Sequence, residues 1–158
     1  LEEVEEAGME SMSEDLKRIT DSGTHLLNLI NDILDISKIE AGRLELYLTN
    51  FEVTKVIGVL ESVAKPIGEK NKNEVKFDLQ KNLGSMHSDE TRLRQSILNL
   101  ISNACKFTEN GLVKISAISV ERNNEEMLEF SVSDTGIGMN KEQLGNIFDG
   151  VMGELEFC

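Results

Sequence analysis

Basic charge is what this chain most lacks. Sixteen Lys and Arg stand against 29 Asp and Glu, a formal net charge of −13. A nucleic-acid surface needs a basic stripe, and docking on anionic lipid needs clustered cations. The balance argues against both, and solubility is the plain reading of the acidity. Cysteine is scarce as well. Cys105 and Cys158 lie far apart, in no metal-ligand spacing and no disulfide framework, which fits a reducing, cytoplasmic setting. Cys105 sits in an apolar helical run and reads as a small buried hydrophobe; Cys158, the last residue, reads as exposed. No apolar run approaches the length of a membrane span, and no signal peptide is visible. Any membrane attachment would then fall to segments upstream of Leu1. The first residue is Leu rather than Met, so we expect a processed or excised piece. Its 158 residues hold one ordinary domain plus an appendage.

What is present begins with a helix. Met12, Leu16, Ile19, Gly23, Leu26, Ile30, Ile33 and Ser37 step by alternating fours and threes. That 3.5-residue seam is the mark of coiled-coil or bundle packing, and it predicts one helix over 9–40. Leu27 with Leu34 and Leu29 with Ile36 add further apolar rows, which call for partners on more than one side. Gly42 is a good helix stop. Beyond it, Leu44, Leu46 and Leu48 alternate with Glu45, Tyr47 and Thr49, predicting a half-buried strand over 43–49. A helix is expected over 51–70, capped by Thr54, with Val56, Ile57, Leu60, Val63 and Ile67 inward. The single proline, Pro66, should kink it or shorten its last turn. Val75, Phe77 and Leu79 read as a strand. Asp89 should cap a helix with Leu93, Ile97, Leu100, Ile101 and Ala104 inward. Strands over 111–121 and 127–133 should join through an Asn123-Asn124 turn, and Asn140 should cap a short helix through Ile147. Grouped antiparallel strands with helices on one face predict an α+β fold, a two-layer sandwich preceded by a long bundle helix.

The chemistry gathers in two places. Asn99, Asn103 and Lys106 stand at i, i+4 and i+7, so they share a helical face away from Ile97, Ile101 and Ala104. Two amides and an ammonium suit a polyphosphate with its metal. An amide oxygen is a hard ligand for Mg²⁺, and an ammonium neutralises phosphate as a point charge. Taken alone, the spacing is also that of an ordinary polar helix face. About thirty residues on, the strand Leu128, Phe130, Val132 runs into Asp134-Thr-Gly136-Ile-Gly138-Met139. A carboxylate at a sheet edge can accept a hydrogen bond from an exocyclic amine of adenine. The glycines let backbone approach a ligand closely. The pattern is neither a dinucleotide fingerprint nor a Walker loop.

Together, Asn99-Leu-Ile-Ser-Asn103-Ala-Cys-Lys106-Phe-Thr108 and Asp134-Thr-Gly136-Ile-Gly138-Met139 resemble the N box and first glycine box of sensor histidine protein kinases of two-component systems. His25 to Gly42 resembles the second helix of their dimerisation and histidine-phosphotransfer domain. Ser88 to Gln95 resembles the lead into the N box, and Ile147-Phe148-Asp149 the start of the F box. The resemblance implies two domains. Residues 1–42 would supply the second helix of the phosphotransfer domain, and 43–158 an ATP-binding catalytic domain of the histidine kinase and gyrase ATPase type. It implies ATP and Mg²⁺ as cofactors. Asn103 would hold the metal, Asn99 and Lys106 would line the phosphates, Asp134 would bind adenine, and Gly136 and Gly138 would open a lid hinge. It implies a homodimer through the first helix and a response-regulator receiver domain as partner. In the related gyrase and chaperone ATPases, the residue four before the metal-binding Asn is a Glu that activates water. Here it is Asn99, an amide without useful basicity, which favours transfer to another nucleophile.

The sequence departs from the family at two points. No phosphoacceptor box of the His-Glu-Leu/Ile-Arg-Thr-Pro-Leu kind is present. His25 reads as a structural residue of the bundle helix and His87 as a surface or turn residue, so no residue here is assigned as the catalytic acceptor. After Gly150 the family pattern fades, and its second glycine box is missing. We therefore expect weakened or absent nucleotide binding, no autophosphorylation by this piece alone, and an open sheet edge prone to self-association. The alternative is a non-catalytic, kinase-like dimerisation or regulatory fragment.

Overall fold

The 3.5-residue seam gives a single helix, α1 (Glu2–Glu40). It ends at Gly42, whose φ of +63° lies in the left-handed region. The Gly42 N–H donates to the Ile39 carbonyl at 2.9 Å and the Arg43 N–H to the Lys38 carbonyl at 2.8 Å. Those two bonds make a Schellman cap, which satisfies carbonyls the helix leaves over. The computed structural model describes residues 2–122, 124–140 and 143. The chain divides into two units, Leu1–Leu46 and Tyr47–Cys158.

In the second unit the order is β1 (Thr49–Glu52), α2 (Val53–Glu69), β2 (Glu74–Leu79), β3 (Ser85–Ser88), α3 (Glu90–Phe107), β4 (Leu112–Arg122) and β5 (Glu125–Asp134). β1 and β3 form an antiparallel ribbon, and β2-β4-β5 a three-stranded sheet. The core joins one side of each helix to one side of the sheet. Val56, Leu60 and Ala64 of α2 meet Ile97, Ile101, Ala104 and Cys105 of α3 over Val113 and Ile115 of β4. A smaller cluster of Val53, Ile57, Leu83 and Ala117 continues it toward the other end of β4. The fold is α+β in two layers. Among the described residues, every buried side-chain N and O has a hydrogen-bond partner.

Several expectations need correction. The sheet is mixed rather than antiparallel, because β2 pairs with β4 in parallel, Glu74 opposite Leu112 through Leu79 opposite Ala117. The connection from β2 to β4 carries a whole helix, α3, and such a crossover is what parallel pairing requires. Residues 43–48 form no strand. Pairing starts only at Thr49, because the partner β3 is four residues long and its register ends with Thr49 opposite Ser88. Alternating leucines therefore marked an extended segment without a ladder. β3 itself carries no sequence signal strong enough to have been foreseen. His87 lies on it, exposed, with Nδ1 2.8 Å from Asn50 Oδ1 on the facing strand.

Thr54 does not cap α2. The chain passes straight from β1 into the helix, Glu52 holds the cap position without a side-chain bond, and the Val53 N–H donates to the Gly84 carbonyl at 3.2 Å. Pro66 sits inside α2, which runs on to Glu69. Two residues assigned to the core are exposed, Val63 and Leu100. In α2 the next residue, Ala64, is buried instead, and in α3 Ile101 is buried as expected while Leu100 is not, so the inward stripe is narrower than the apolar one. β4 and β5 pair antiparallel from Val113 opposite Asp134 to Arg122 opposite Glu125. In the turn between them, Asn124 has a φ of +64°, a conformation Asn tolerates, and Asn123 lies outside the described residues. Asn140 and Gln143 exchange bonds as a capping box does, Gln143 N–H to Asn140 Oδ1 at 2.8 Å and Asn140 N–H to Gln143 Oε1 at 2.9 Å. The rest of the expected helix through Ile147, the F-box residues Ile147 to Asp149 and Cys158 lie outside the described residues.

Candidate functional site

α3 is anchored at both ends. At its start the Asp89 carboxylate caps the helix through Oδ1, accepting the Arg92 N–H at 3.1 Å, and its Oδ2 accepts the Tyr47 N–H at 3.0 Å. The Tyr47 and Arg92 amides favour the charged form and outweigh burial, so the carboxyl is held below its ordinary value of 3.8. At the other end, carbonyls that a helix leaves unpaired are collected by two amides, Asn73 buried and Asn71 partly so. Asn73 Nδ2 donates to the carbonyls of Cys105 at 2.9 Å and Thr108 at 2.7 Å, and Asn71 Nδ2 donates to Cys105 at 3.0 Å. Cys105 is buried, and burial together with the nearby Asp134 charge pushes its thiol pKa up. It is a core residue and not an activated thiol.

Asn99, Asn103 and Lys106 all point outward from α3. At the helical rise of 1.5 Å per residue they spread over about 10 Å. Neither Asn side chain is hydrogen-bonded to another described residue, so both amide oxygens are available to a ligand. The Lys106 ammonium rests over the Phe107 ring, 5.3 Å from its centroid.

The loop after β5 is laced to this end of α3. The Ile137 N–H donates to the Phe107 carbonyl at 3.2 Å, and the Thr135 N–H to the Leu112 carbonyl at 3.1 Å. Asp134 Oδ1 accepts the Gly136 N–H at 2.8 Å and the buried Thr108 hydroxyl at 3.3 Å. Asp134 Oδ2 has no partner among the described residues. Only glycine fits at 136. A Cβ there would stand 2.2 Å from the Phe107 carbonyl oxygen and 2.7 Å from Thr108 Oγ1. Gly138, with φ at +64°, turns the chain where an ordinary side chain would be strained.

Between them these elements border a shallow, open pocket of about 410 Å³ lined by Lys106, Phe107, Glu109, Thr135, Gly136 and Ile137. Of the residues singled out from sequence, Lys106 and Gly136 line it, and Asp134 borders it through its bond to Gly136. Asn99 and Asn103 lie further along the same helix, and Gly138 lies beyond Ile137. The sequence reading missed Thr108, Asn71 and Asn73, which hold the two halves of the site together, and Ile137, an apolar side chain 85% exposed beside the cavity. Exposure of that degree has no sequence signal. Among the described residues no cluster of His, Cys, Asp and Glu could hold a metal by itself, so a metal here would rest on amide oxygens and on its other ligands. Likewise no helix among them is long and apolar enough to cross a membrane.

Comparison with known proteins agrees with this geometry. Residues 88–155 match the family model for the histidine kinase-, DNA gyrase B-, and HSP90-like ATPase. The chain is 36% identical over 148 residues to the autoinducer 2 sensor kinase/phosphatase LuxQ of Vibrio vulnificus, an alignment covering 87% of this chain and 17% of LuxQ. It thus spans about a sixth of that relative's length. Among solved structures, full-length ShkA in complex with AMPPNP superposes with a TM-score of 0.67 at 33% identity, over 77% of this chain and 26% of that one. Histidine kinase ThkA, solved with the response regulator protein TrrA, shares the fold at a TM-score of 0.59 and 24% identity, over 82% of this chain and 37% of that one. An N-box helix laced to an Asp-Gly loop on a mixed sheet, found in a chain with these relatives, places it in the sensor histidine kinase family, its catalytic domain being of the histidine kinase-, DNA gyrase B- and HSP90-like ATPase type.

Proposed function

We propose that this chain is the ATP-binding portion of a two-component kinase that passes the γ-phosphoryl group of ATP to a histidine, and from there to an aspartate of a response-regulator receiver domain. One observation carries the reading. Two motifs far apart in sequence meet at the last turn of α3, where Thr108 reaches Asp134 and Ile137 reaches Phe107 around a cavity with Lys106 at its wall. The ShkA complex with an ATP analogue and the ThkA complex with a receiver protein support the two ends of the reaction.

The residues fit both ATP and a magnesium ion. Asp134 keeps Oδ2 to accept from the adenine amine. The exposed amide oxygen of Asn103 is the kind of hard donor Mg²⁺ takes alongside phosphate and water. Asn99 and Lys106 face the polyphosphate, and Mg²⁺ when bound supplies neutralisation of its charge. Nothing at Asn99 can take a proton from water, so hydrolysis is not promoted from that position. In the transfer, the bond from the γ-phosphorus to its bridging oxygen breaks and a P–N bond to an imidazole nitrogen forms, ADP leaving with the bridging oxygen. The protein's part is positioning and charge. No acceptor box is present in residues 1–158, so the imidazole comes from outside them.

Exposed apolar rows on α1 support pairing with a second copy. Met12, Leu16, Ile19, Leu26, Ile30 and Ile33 are all solvent-facing, and a helix with several such rows buries them in a bundle. The experiment that tests the nucleotide reading is a Mg²⁺-dependent titration with a non-hydrolysable ATP analogue, using Asn103→Ala and Asp134→Ala as controls. Saturable binding lost in both variants is expected. Absence of binding by a folded sample overturns the reading and leaves the dimerisation or regulatory alternative.

A further inference from the structure

A buried polar side chain that touches no ligand organises the whole site. Asn73 follows α2 and is only 7% exposed. Its position is fixed by a second Schellman cap. The Lys72 N–H donates to the Glu69 carbonyl at 3.1 Å and the Asn73 N–H to the Gly68 carbonyl at 3.0 Å, with Lys72 at a φ of +55°. Gly68 is required there, since a Cβ would come within 2.4 Å of Val75 Cγ2. The Asn73 amide then divides its hydrogen bonds between two other elements. Nδ2 donates to Cys105 and Thr108 at the end of α3, and Oδ1 accepts the Gly111 N–H at 3.1 Å just ahead of β4. Asn110, left-handed with φ at +50°, donates its N–H to the Asn71 carbonyl. Thus the α2–β2 turn grips both residues that flank the turn from α3 into β4.

We infer that Asn73 is a positioning residue for nucleotide binding, and that Asn71 assists it. The inference rests on the proposed function and deepens it. Lys106 and Phe107 lie between the two carbonyls that Asn73 holds. Thr108, whose carbonyl Asn73 holds, carries the hydroxyl that reaches Asp134. Asn73, with Asn71 beside it on Cys105, therefore fixes the last turn of α3 that carries Lys106 and the Thr108 that reaches Asp134. The last turn of α3 cannot shift without breaking the buried Asn73 bonds, and breaking one strands a desolvated carbonyl. A serine or alanine at 73 would leave the last turn of α3 free to shift relative to the loop of Asp134 and Gly136.

The test uses the full chain, a Mg²⁺-loaded non-hydrolysable ATP analogue, and Asn73→Ala beside Asn103→Ala, each titrated well below its melting temperature. The expected result is a dissociation constant raised about tenfold in Asn73→Ala, equivalent to roughly 1.4 kcal/mol. The backbone amide resonances of Lys106, Phe107 and Gly136 should also shift in the absence of nucleotide. A lower melting temperature with an unchanged dissociation constant would mean a purely structural residue and overturn the inference. Should Asn73→Ala not fold, Asn71→Ala decides. It removes one bond to Cys105 and should weaken binding about threefold, and unchanged affinity overturns the proposal. If the unaltered chain does not bind, or if Asn103→Ala binds as well as it does, the proposed function itself fails and takes this inference with it.

Discussion

α1 and α3 are both amphipathic helices, yet they place their apolar residues in opposite ways. α3 puts Ile97, Ile101, Ala104 and Cys105 into a closed core and presents amides and a lysine to the outside. α1 leaves Leu26, Leu27, Ile30, Ile33 and Leu34 in solvent. The difference separates two jobs. α3 is positioned from within its own unit, by a cap at one end and two asparagines at the other, so its exposed face is free for chemistry. α1 carries apolar side chains that are exposed in residues 1–158, and the free energy in them, about 1.5–3 kcal/mol each if fully buried, is gained only when something covers them.

The sharpest way to break that contrast is truncation in each helix. Ile101→Ala should cost about 2–5 kcal/mol of unfolding free energy, the range for large-to-small core changes, measured by urea denaturation. Leu26→Ala in α1 should leave the unfolding of residues 47–158 within about 0.5 kcal/mol. Comparable losses in the two would show that α1 belongs to the core after all. Gly136→Ala comes next. The Cβ would collide with backbone, which cannot rotate away, so a cost of about 1–3 kcal/mol is expected, together with loss of analogue binding. Retained affinity would show that the loop carrying Gly136 does not need its present approach to α3.

Legibility followed the same divide. The outward-facing residues of α3 could be read from sequence because a helix converts spacing directly into a shared face, and Asp89 could be read because a cap is a local event. Gly42 was legible for the same reason. Asn73, Asn71 and Thr108 were not. In sequence they are polar residues near turns, and only the parallel pairing of β2 with β4 brings the first two against the end of α3. β3 was invisible because Ser-Met-His-Ser has no apolar alternation. The leucines of 43–48 misled because alternation reports an extended chain and not the presence of a partner strand. Leu100 misled because an apolar residue on a helix need not be inside.

A further substitution tests the start of α3. Asp89→Asn should cost about 1–3 kcal/mol near neutral pH, because the amide keeps one acceptor oxygen for the cap and leaves either the Tyr47 or the Arg92 N–H facing an NH₂ group. Its pH dependence has a definite sign. The folded-state carboxyl titrates below its unfolded value of 3.8, so its contribution is fully present above that value and is lost as pH falls through the lower, folded one. The gap between wild type and variant should be constant from about pH 7 to about pH 5 and shrink below about pH 4. Urea midpoints across that range measure it. A gap that stays level into acid would mean that charge on Asp89 is irrelevant and only its hydrogen-bond geometry matters.

The smallest effect on stability is expected where the effect on assembly is largest. Ile30→Ser replaces an exposed side chain on α1, so unfolding of residues 47–158 should change by no more than about 0.5 kcal/mol. Analogue affinity should also stay put, because no site residue lies on α1. What should move is the monomer fraction in sedimentation, since an apolar side chain removed from a helical seam is removed from both chains of a symmetric pair. If sedimentation of wild type and variant coincide as monomers, the rows on α1 are covered by something other than a second copy of residues 1–158. The division of labour between the two helices would then stand, and the partner of α1 would have to be sought outside residues 1–158.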